Sequence, residues 1–198
     1  MFLLASVLLC VCVLVVPGTS VTCNIDPSDS CKCSFADGGK TWNIDISKYF
    51  DYPAHPKPVE SKYTYTYTCY NAKCPKNPNS TAVACQYVEN QGDYPLGKVD
   101  QHTTWEVTDT SDSSLTFVIT YKNGQKSGDK TRETTVTFKY ATGNMEMKVT
   151  KEDNTDTNIN YEMEASGKEV KKFSPSGGKG KSGGKKTFLD QLALSSSY

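Results

Sequence analysis

The chain is poor in the residues that most often carry out chemistry. It has two histidines, His55 and His102, well apart in sequence. That excludes a histidine metal cluster and leaves little to build a Ser–His or Cys–His pair. No nucleophile motif and no glycine loop of the phosphate-binding type occurs. The chain therefore reads as a non-enzyme that needs no cofactor. A carboxylate pair could act on glycosides, but with 22 Asp and Glu residues in all, any one pair signals nothing. Cysteine is absent after residue 85, so the second half must hold itself by packing. No apolar run beyond residue 16 could span a membrane, and no ten-residue stretch has a convincing amphipathic helical pattern. The formal net charge is zero, which gives no pull toward nucleic acid.

What is present begins with an apolar, uncharged stretch over residues 2–16, followed by Pro17-Gly18-Thr19-Ser20. The stretch is shorter than the ~20 residues of a spanning helix. Small residues after it offer a cleavage site, so residues 1–20 are predicted to be a secretory signal peptide, a signal anchor being the alternative. Cys10 and Cys12 would leave with it. Six cysteines remain: Cys23, Cys31, Cys33, Cys69, Cys74 and Cys85. In an exported chain they are expected to form three disulfides, with the pairing left open. A metal role for the Cys31–Cys33 pair is the weaker reading in an oxidising compartment.

Charge is unevenly spread. Residues 21–167 carry 15 Lys and Arg against 20 Asp and Glu, whereas residues 168–198 carry 7 Lys against 2 acids. Residues 21–168 are expected to form one domain, and residues 169–198 a Gly/Ser/Lys-rich flexible tail ending in the apolar TFLDQLAL. Such a tail suits anionic polymers or a membrane surface. A purely solubilising tail is the plainer alternative.

The body alternates with period two, which predicts strands. Leu115, Phe117, Ile119 and Tyr121 share one face, as do Val136, Phe138 and Tyr140, and Met145, Met147 and Val149. Asn123-Gly124 reads as a hairpin turn. These strands predict an all-β, antiparallel sandwich or flattened barrel, stapled by disulfides in its first half. Three polar residues fall on apolar faces. Arg132 is in phase with Val136 and Phe138, Gln86 with Ala82 and Ala84, and Tyr161 with Met163 and Ala165. Taken singly, a strand-end Arg is a solvated terminus and an inward Tyr is core. Taken together, they build a polar pocket at one end of a sheet. Gln donates and accepts, Arg offers a planar fork of donors, a carboxylate only accepts, and Tyr brings an apolar face with a hydroxyl. That set suits the paired hydroxyls of a pyranose.

The order of segments TWNIDIS, YTYTYTCYNAKC, AVACQY, YPLGK and SLTFVITYKNG, then an Arg-led strand and a Tyr-led final strand, resembles the mannose-6-phosphate receptor homology (MRH) lectin domain over roughly residues 31–166. The resemblance implies an MRH-type fold and four sugar-contacting residues: Gln86, Arg132, Glu152 and Tyr161. Glu146 and Asp153 are the nearest competitors for the carboxylate. One disulfide of the family is missing here. Tyr140 and the run Ala165–Lys168 stand where its two cysteines would be, and its loss is expected to loosen the loop carrying Glu152.

The resemblance implies a secreted lectin, or one of the secretory-pathway lumen, that binds mannose-containing glycans or glycoproteins, with phosphomannosyl glycans included only if a phosphate site exists. The alternative is the same fold as a protein-interaction module with a vestigial sugar pocket. Asn79-Ser80-Thr81 is an acceptor sequon in the polar segment between Cys74 and Cys85, so Asn79 is a predicted glycosylation site.

Overall fold

The computed structural model describes residues 20–26, 29–49, 54–58 and 62–174. The expected signal peptide, apart from Ser20, and the expected tail beyond Ser174 lie outside the described residues. Thr, Tyr and Val runs favour a pleated, half-buried backbone. A 3-10 turn at Ser47–Tyr49 is the one helical piece among the described residues. In chain order the strands are β1 (Val21–Thr22), β2 (Asn24–Asp26), β3 (Asp29–Asp37), β4 (Lys40–Asp45), β5 (Tyr63–Cys74), β6 (Asn77–Val88) and β7 (Gly92–Gly97). Then follow β8 (Thr104–Asp109), β9 (Thr116–Tyr121), β10 (Lys126–Ser127), β11 (Lys130–Tyr140), β12 (Glu146–Asn154), β13 (Asn158–Gly167) and β14 (Lys172–Phe173).

The strands form three sheets that do not close into a barrel. The largest has the order β1-β8-β9-β11-β13-β12, with β10 beside β11. The others are β14-β4-β3-β2 and β5-β6-β7. The all-β architecture matches expectation, with one departure from an antiparallel sandwich. Strands β11 and β13 run parallel from Thr131↔Asn158 to Tyr140↔Gly167. After β11 the chain crosses to the outer edge as β12 and returns as β13 between the two, so the strand after next lies parallel to β11.

Alternation along β8, β9 and β11 sends one set of side chains inward. Phe117 and Phe138 pair across β9 and β11 and stack at 4.8 Å, and Trp105 stacks on Phe117 at 5.5 Å. The β5-β6-β7 sheet covers this face. Tyr67 of β5 meets Phe138 at 6.5 Å between ring centres, and its hydroxyl lies 2.8 Å from that of Tyr121. Both phenols are fully buried, and burial raises the pKa of each above the usual value.

The six cysteines close three disulfides: Cys23–Cys33, Cys31–Cys69 and Cys74–Cys85. Cys31–Cys69 ties β3 to β5 across two sheets and closes a chain segment with a sequence separation of 38. A loop of that length is worth about 4 kcal/mol in the chain-entropy account. The second half has no cysteine, and the stacked rings hold it instead.

Two expectations about the ends of strands are corrected. The folded body does not stop at residue 168. Val170 is buried, and β14 pairs with β4 through Lys172↔Ile44 and Phe173↔Asn43. The Lys172 ammonium lies 4.3 Å from the Trp42 ring centre and donates to the Thr110 carbonyl, so a residue assigned to a flexible tail clips two sheets together. The missing disulfide also does not bear on Glu152. Tyr140 and Gly167 are direct partners at the far end of β11 and β13, where Ala141 N–H donates to the Gly167 carbonyl at 3.1 Å. Glu152 pairs with Tyr161, six residues back along β13 and so ~20 Å away.

The buried phenols make stability pH-dependent. An unfolded tyrosine ionises near pH 10. Tyr67 and Tyr121 hold their protons to higher pH in the fold, so their contribution is complete below about pH 10 and is lost as pH rises through their folded pKa values. Urea midpoints are expected to stay level to about pH 9 and then to fall. Tyr121→Phe should show a shallower alkaline fall, while an unchanged slope would contradict the assignment.

Candidate functional site

Gln86 follows Cys85 on β6, so the two side chains point to opposite faces of the sheet. Cys85 bonds Cys74 in a small cluster with Ala82, apart from the main core. Gln86 faces inward and is only 4% exposed. A buried primary amide needs partners for its donors and its acceptor. Its Nε2 donates to the Tyr65 hydroxyl at 2.9 Å and to Glu152 Oε2 at 3.2 Å. Its Oε1 accepts from the Tyr161 hydroxyl at 3.3 Å. Tyr65 in turn donates to Glu152 Oε2 at 3.2 Å.

Arg132 opens the inward face of β11 and is 8% exposed. Its guanidinium lies 4.8 Å from the Tyr94 ring centre, and Nη1 donates to the Gln125 carbonyl at 3.1 Å. Its buried Nε has no hydrogen-bond partner among the described residues. The carbonyls that hold it come from residues 122–129, and here the turn reading is corrected. The tight turn closing onto β11 is Gly128-Asp129, between the pair Ser127↔Lys130. Asn123-Gly124 is instead a bend that brings the chain against β7. Asn123 has φ 57°, and a Cβ on Gly124 would lie 2.6 Å from the Leu96 carbonyl oxygen and 2.7 Å from that of Arg132. Gly124 N–H donates to that Arg132 carbonyl at 2.9 Å. The glycine is there for close approach, and the approach sets where Arg132 begins.

Glu152 reaches the site by a break in alternation. Met147 and Val149 face inward, and strict period two would send Lys151 and Asp153 in after them. Thr150 is an extra residue between the pairs Val149↔Met163 and Lys151↔Glu162, a β-bulge. Its hydroxyl donates to the Glu162 carbonyl at 3.1 Å. The bulge flips the phase and puts Glu152 opposite Tyr161. Glu152 thus lies in a strand rather than in the expected loop. Its competitors are engaged elsewhere: Glu146 with Lys57 at 3.5 Å and Asp153 with Lys151 at 2.9 Å.

Gln86, Arg132, Glu152 and Tyr161 line a single open pocket of ≈ 400 Å³. Tyr161 is 1% exposed, and its phenol is pushed up to about 12, mainly by burial, with Arg132 opposing and the Glu152 charge adding to the rise. It is therefore a neutral hydroxyl at physiological pH. The pocket combines a fixed cationic fork, a carboxylate, an amide oxygen and a phenol. That composition can satisfy a ligand hydroxyl as donor and acceptor at once. Among the described residues there is no cluster of His, Cys, Asp and Glu fit to hold a metal ion. Nor is any helix there long and apolar enough to cross a membrane.

No protein-family model matches the chain, and no curated protein matches it. A solved structure does. Domain 11 of the echidna mannose-6-phosphate and insulin-like growth factor 2 receptor, determined as an NMR solution ensemble, is similar with a TM-score of 0.47 and 13% identity, over 75% of this chain and 97% of that one. The assignment of residues to the pocket rests on the geometry above.

Sequence reasoning missed two residues of the site. Tyr65 joins Gln86 to Glu152, and Tyr94 backs the Arg132 guanidinium. Register shows how they could have been found, because both pair directly with Gln86 across β6. The sequon residue Asn79 is exposed, within β6 rather than in a loop, seven residues from Gln86 and so ~23 Å along the strand.

Gly124→Ala forces its new methyl against two backbone carbonyls, and overpacking of this kind costs roughly 1–3 kcal/mol. Gly143→Ala meets nothing within 4 Å. Urea unfolding should show the first variant clearly destabilised and the second within about 0.5 kcal/mol of wild type. Equal stabilities would remove Gly124 from the account of the site.

Proposed function

We propose that this protein is a lectin-like domain of the secretory pathway or the extracellular space that binds mannose-type glycans in the Gln86–Arg132–Glu152–Tyr161 pocket. The observation that carries the reading is the convergence of four side chains, from β6, β11, β12 and β13, on one cavity. In this reading the Arg132 guanidinium donates to a sugar hydroxyl whose own proton goes to Glu152, and the Gln86 and Tyr161 oxygens take a neighbouring hydroxyl. A wrong epimer leaves one of these buried groups unpaired, and that is the source of discrimination. Single-site affinity of about millimolar, or about −4 kcal/mol, suits a shallow open pocket. Three disulfides and the signal-like first residues support an exported protein.

The test is a glycan array probed with the mature domain beside Arg132→Ala and Tyr161→Phe, with circular dichroism as the folding control. Wild type is expected to bind mannose-terminated glycans. Arg132→Ala should weaken binding at least tenfold, as loss of a charged hydrogen bond of roughly 1.5–3 kcal/mol implies. Folded wild type that binds no glycan would overturn the reading and favour a protein-interaction module in the same fold.

A further inference from the structure

We propose a second glycan site, on the outer face of the β14-β4-β3-β2 sheet, that takes a neutral, β-linked oligosaccharide of gluco-type rings. It shares no residue with the Gln86 pocket. Register builds it. Asn24 pairs with Ser34, Ser34 with Asn43, and Asn43 with Phe173, so one row crosses all four strands. Three strand spacings make the row ~14 Å long, which suits a chain of sugars rather than one ring. The neighbouring row of Cys33, Ile44 and Lys172 points inward. Cys33 and Ile44 belong to the core, and Lys172 lies over Trp42. Alternation therefore turns the Asn24–Phe173 row outward. Its four residues line an open groove of ≈ 540 Å³, and the cross-strand pair Lys32 and Asp45 stands beside them.

The row offers neutral groups that the fold does not use. Among the described residues the side chains of Asn24, Ser34 and Asn43 make no hydrogen bond. The two charges beside them are engaged. Lys32 meets Asp29 at 2.6 Å, and Asp45 accepts from the Ser47 hydroxyl at 2.6 Å and from its N–H at 2.9 Å. Nothing else in the groove selects a charged polymer. The outer face of the largest sheet differs, because its polar groups satisfy one another. There Glu164 holds Lys139 at 2.6 Å and Lys148 at 3.2 Å, and Thr150 donates to the Glu162 carbonyl. At the end of the row Phe173 is 47% exposed, one of two large apolar side chains so exposed among the described residues. Lys172 anchors its strand through the Thr110 carbonyl and Asp37, so the ring loses little freedom when a ligand packs on it. A carboxamide or a hydroxyl both donates and accepts. A pyranose with equatorial hydroxyls presents a flat C–H face to the phenyl ring and a hydroxyl edge to the amides. A β-linked chain of such rings runs straight, as the row does.

Chitotetraose, cellotetraose and the neutral peptide acetyl-tetraglycine amide are titrated into the nitrogen-labelled mature protein, and the side-chain amides of Asn24, Asn43 and Gln86 are followed. Chitotetraose or cellotetraose should shift Asn24 and Asn43 and leave Gln86 in place. Phe173→Leu, which keeps bulk but no ring face, should weaken that binding about fivefold, and Phe173→Tyr should keep it within about twofold. Equal affinity in all three proteins, or a loss shared by both variants, would overturn the stacking role of Phe173 and the site built on it. Shifts at Gln86 alone would put these glycans in the first pocket and overturn the second site, as would no shift with either glycan. An equal response to the peptide would assign the row to an extended chain of amides and overturn the glycan.

Discussion

Gln86 carries a primary amide into the seam between two sheets, and a buried amide is tolerated only if its donors and acceptor are met. Tyr65 meets one donor from β5, Glu152 the other from β12, and Tyr161 the acceptor from β13. The last two of these bonds join the β5-β6-β7 sheet to the largest sheet at its open end. The pocket floor and the joint between sheets are therefore one set of atoms. A network of this kind fixes its members against each other. Arg132 stands beside the network, held by a ring and by backbone carbonyls.

The two halves of the chain are held by different means. Before residue 86, three disulfides fix short strands and tie β3 to β5. After it, the stacked rings of Trp105, Phe117 and Phe138 and the parallel pairing of β11 with β13 take over. Tyr67 and Tyr121 sit where the two regimes meet, with hydroxyl against hydroxyl. The pocket lies at the opposite end of the β11–β13 ribbon from the Tyr140–Gly167 pair. The lack of a cysteine pair there leaves the pocket untouched.

Much of this was legible in the sequence because alternation is a direct record of which face a residue takes. Gln86, Arg132 and Tyr161 each announced themselves as polar residues in an apolar phase, and each faces inward. Glu152 was harder, because one extra residue, Thr150, inverts the phase midway along β12, and a bulge has no composition of its own. Tyr65 was hidden by its setting in YTYTYT, where every second residue is a tyrosine and nothing marks the one whose hydroxyl is used. The parallel pairing of β11 and β13 was not visible because the strand that follows β11 in sequence is not its neighbour in space. Lys172 was misplaced because a lysine beside a Gly/Ser/Lys-rich stretch looks like more of it. Trp42, Asp37 and the Thr110 carbonyl, all remote in sequence, give that lysine a place.

The proposed sugar binding turns on the Arg132 guanidinium meeting a mannose-type sugar at the floor of this pocket. A buried arginine Nε–H can be followed as its own resonance in a nitrogen-labelled sample titrated with methyl α-mannoside and, separately, with methyl α-galactoside. The account predicts that the Arg132 resonance shifts with mannoside and stays in place with galactoside. A resonance that ignores mannoside at concentrations well above the millimolar range, in a protein that is otherwise folded, would contradict it.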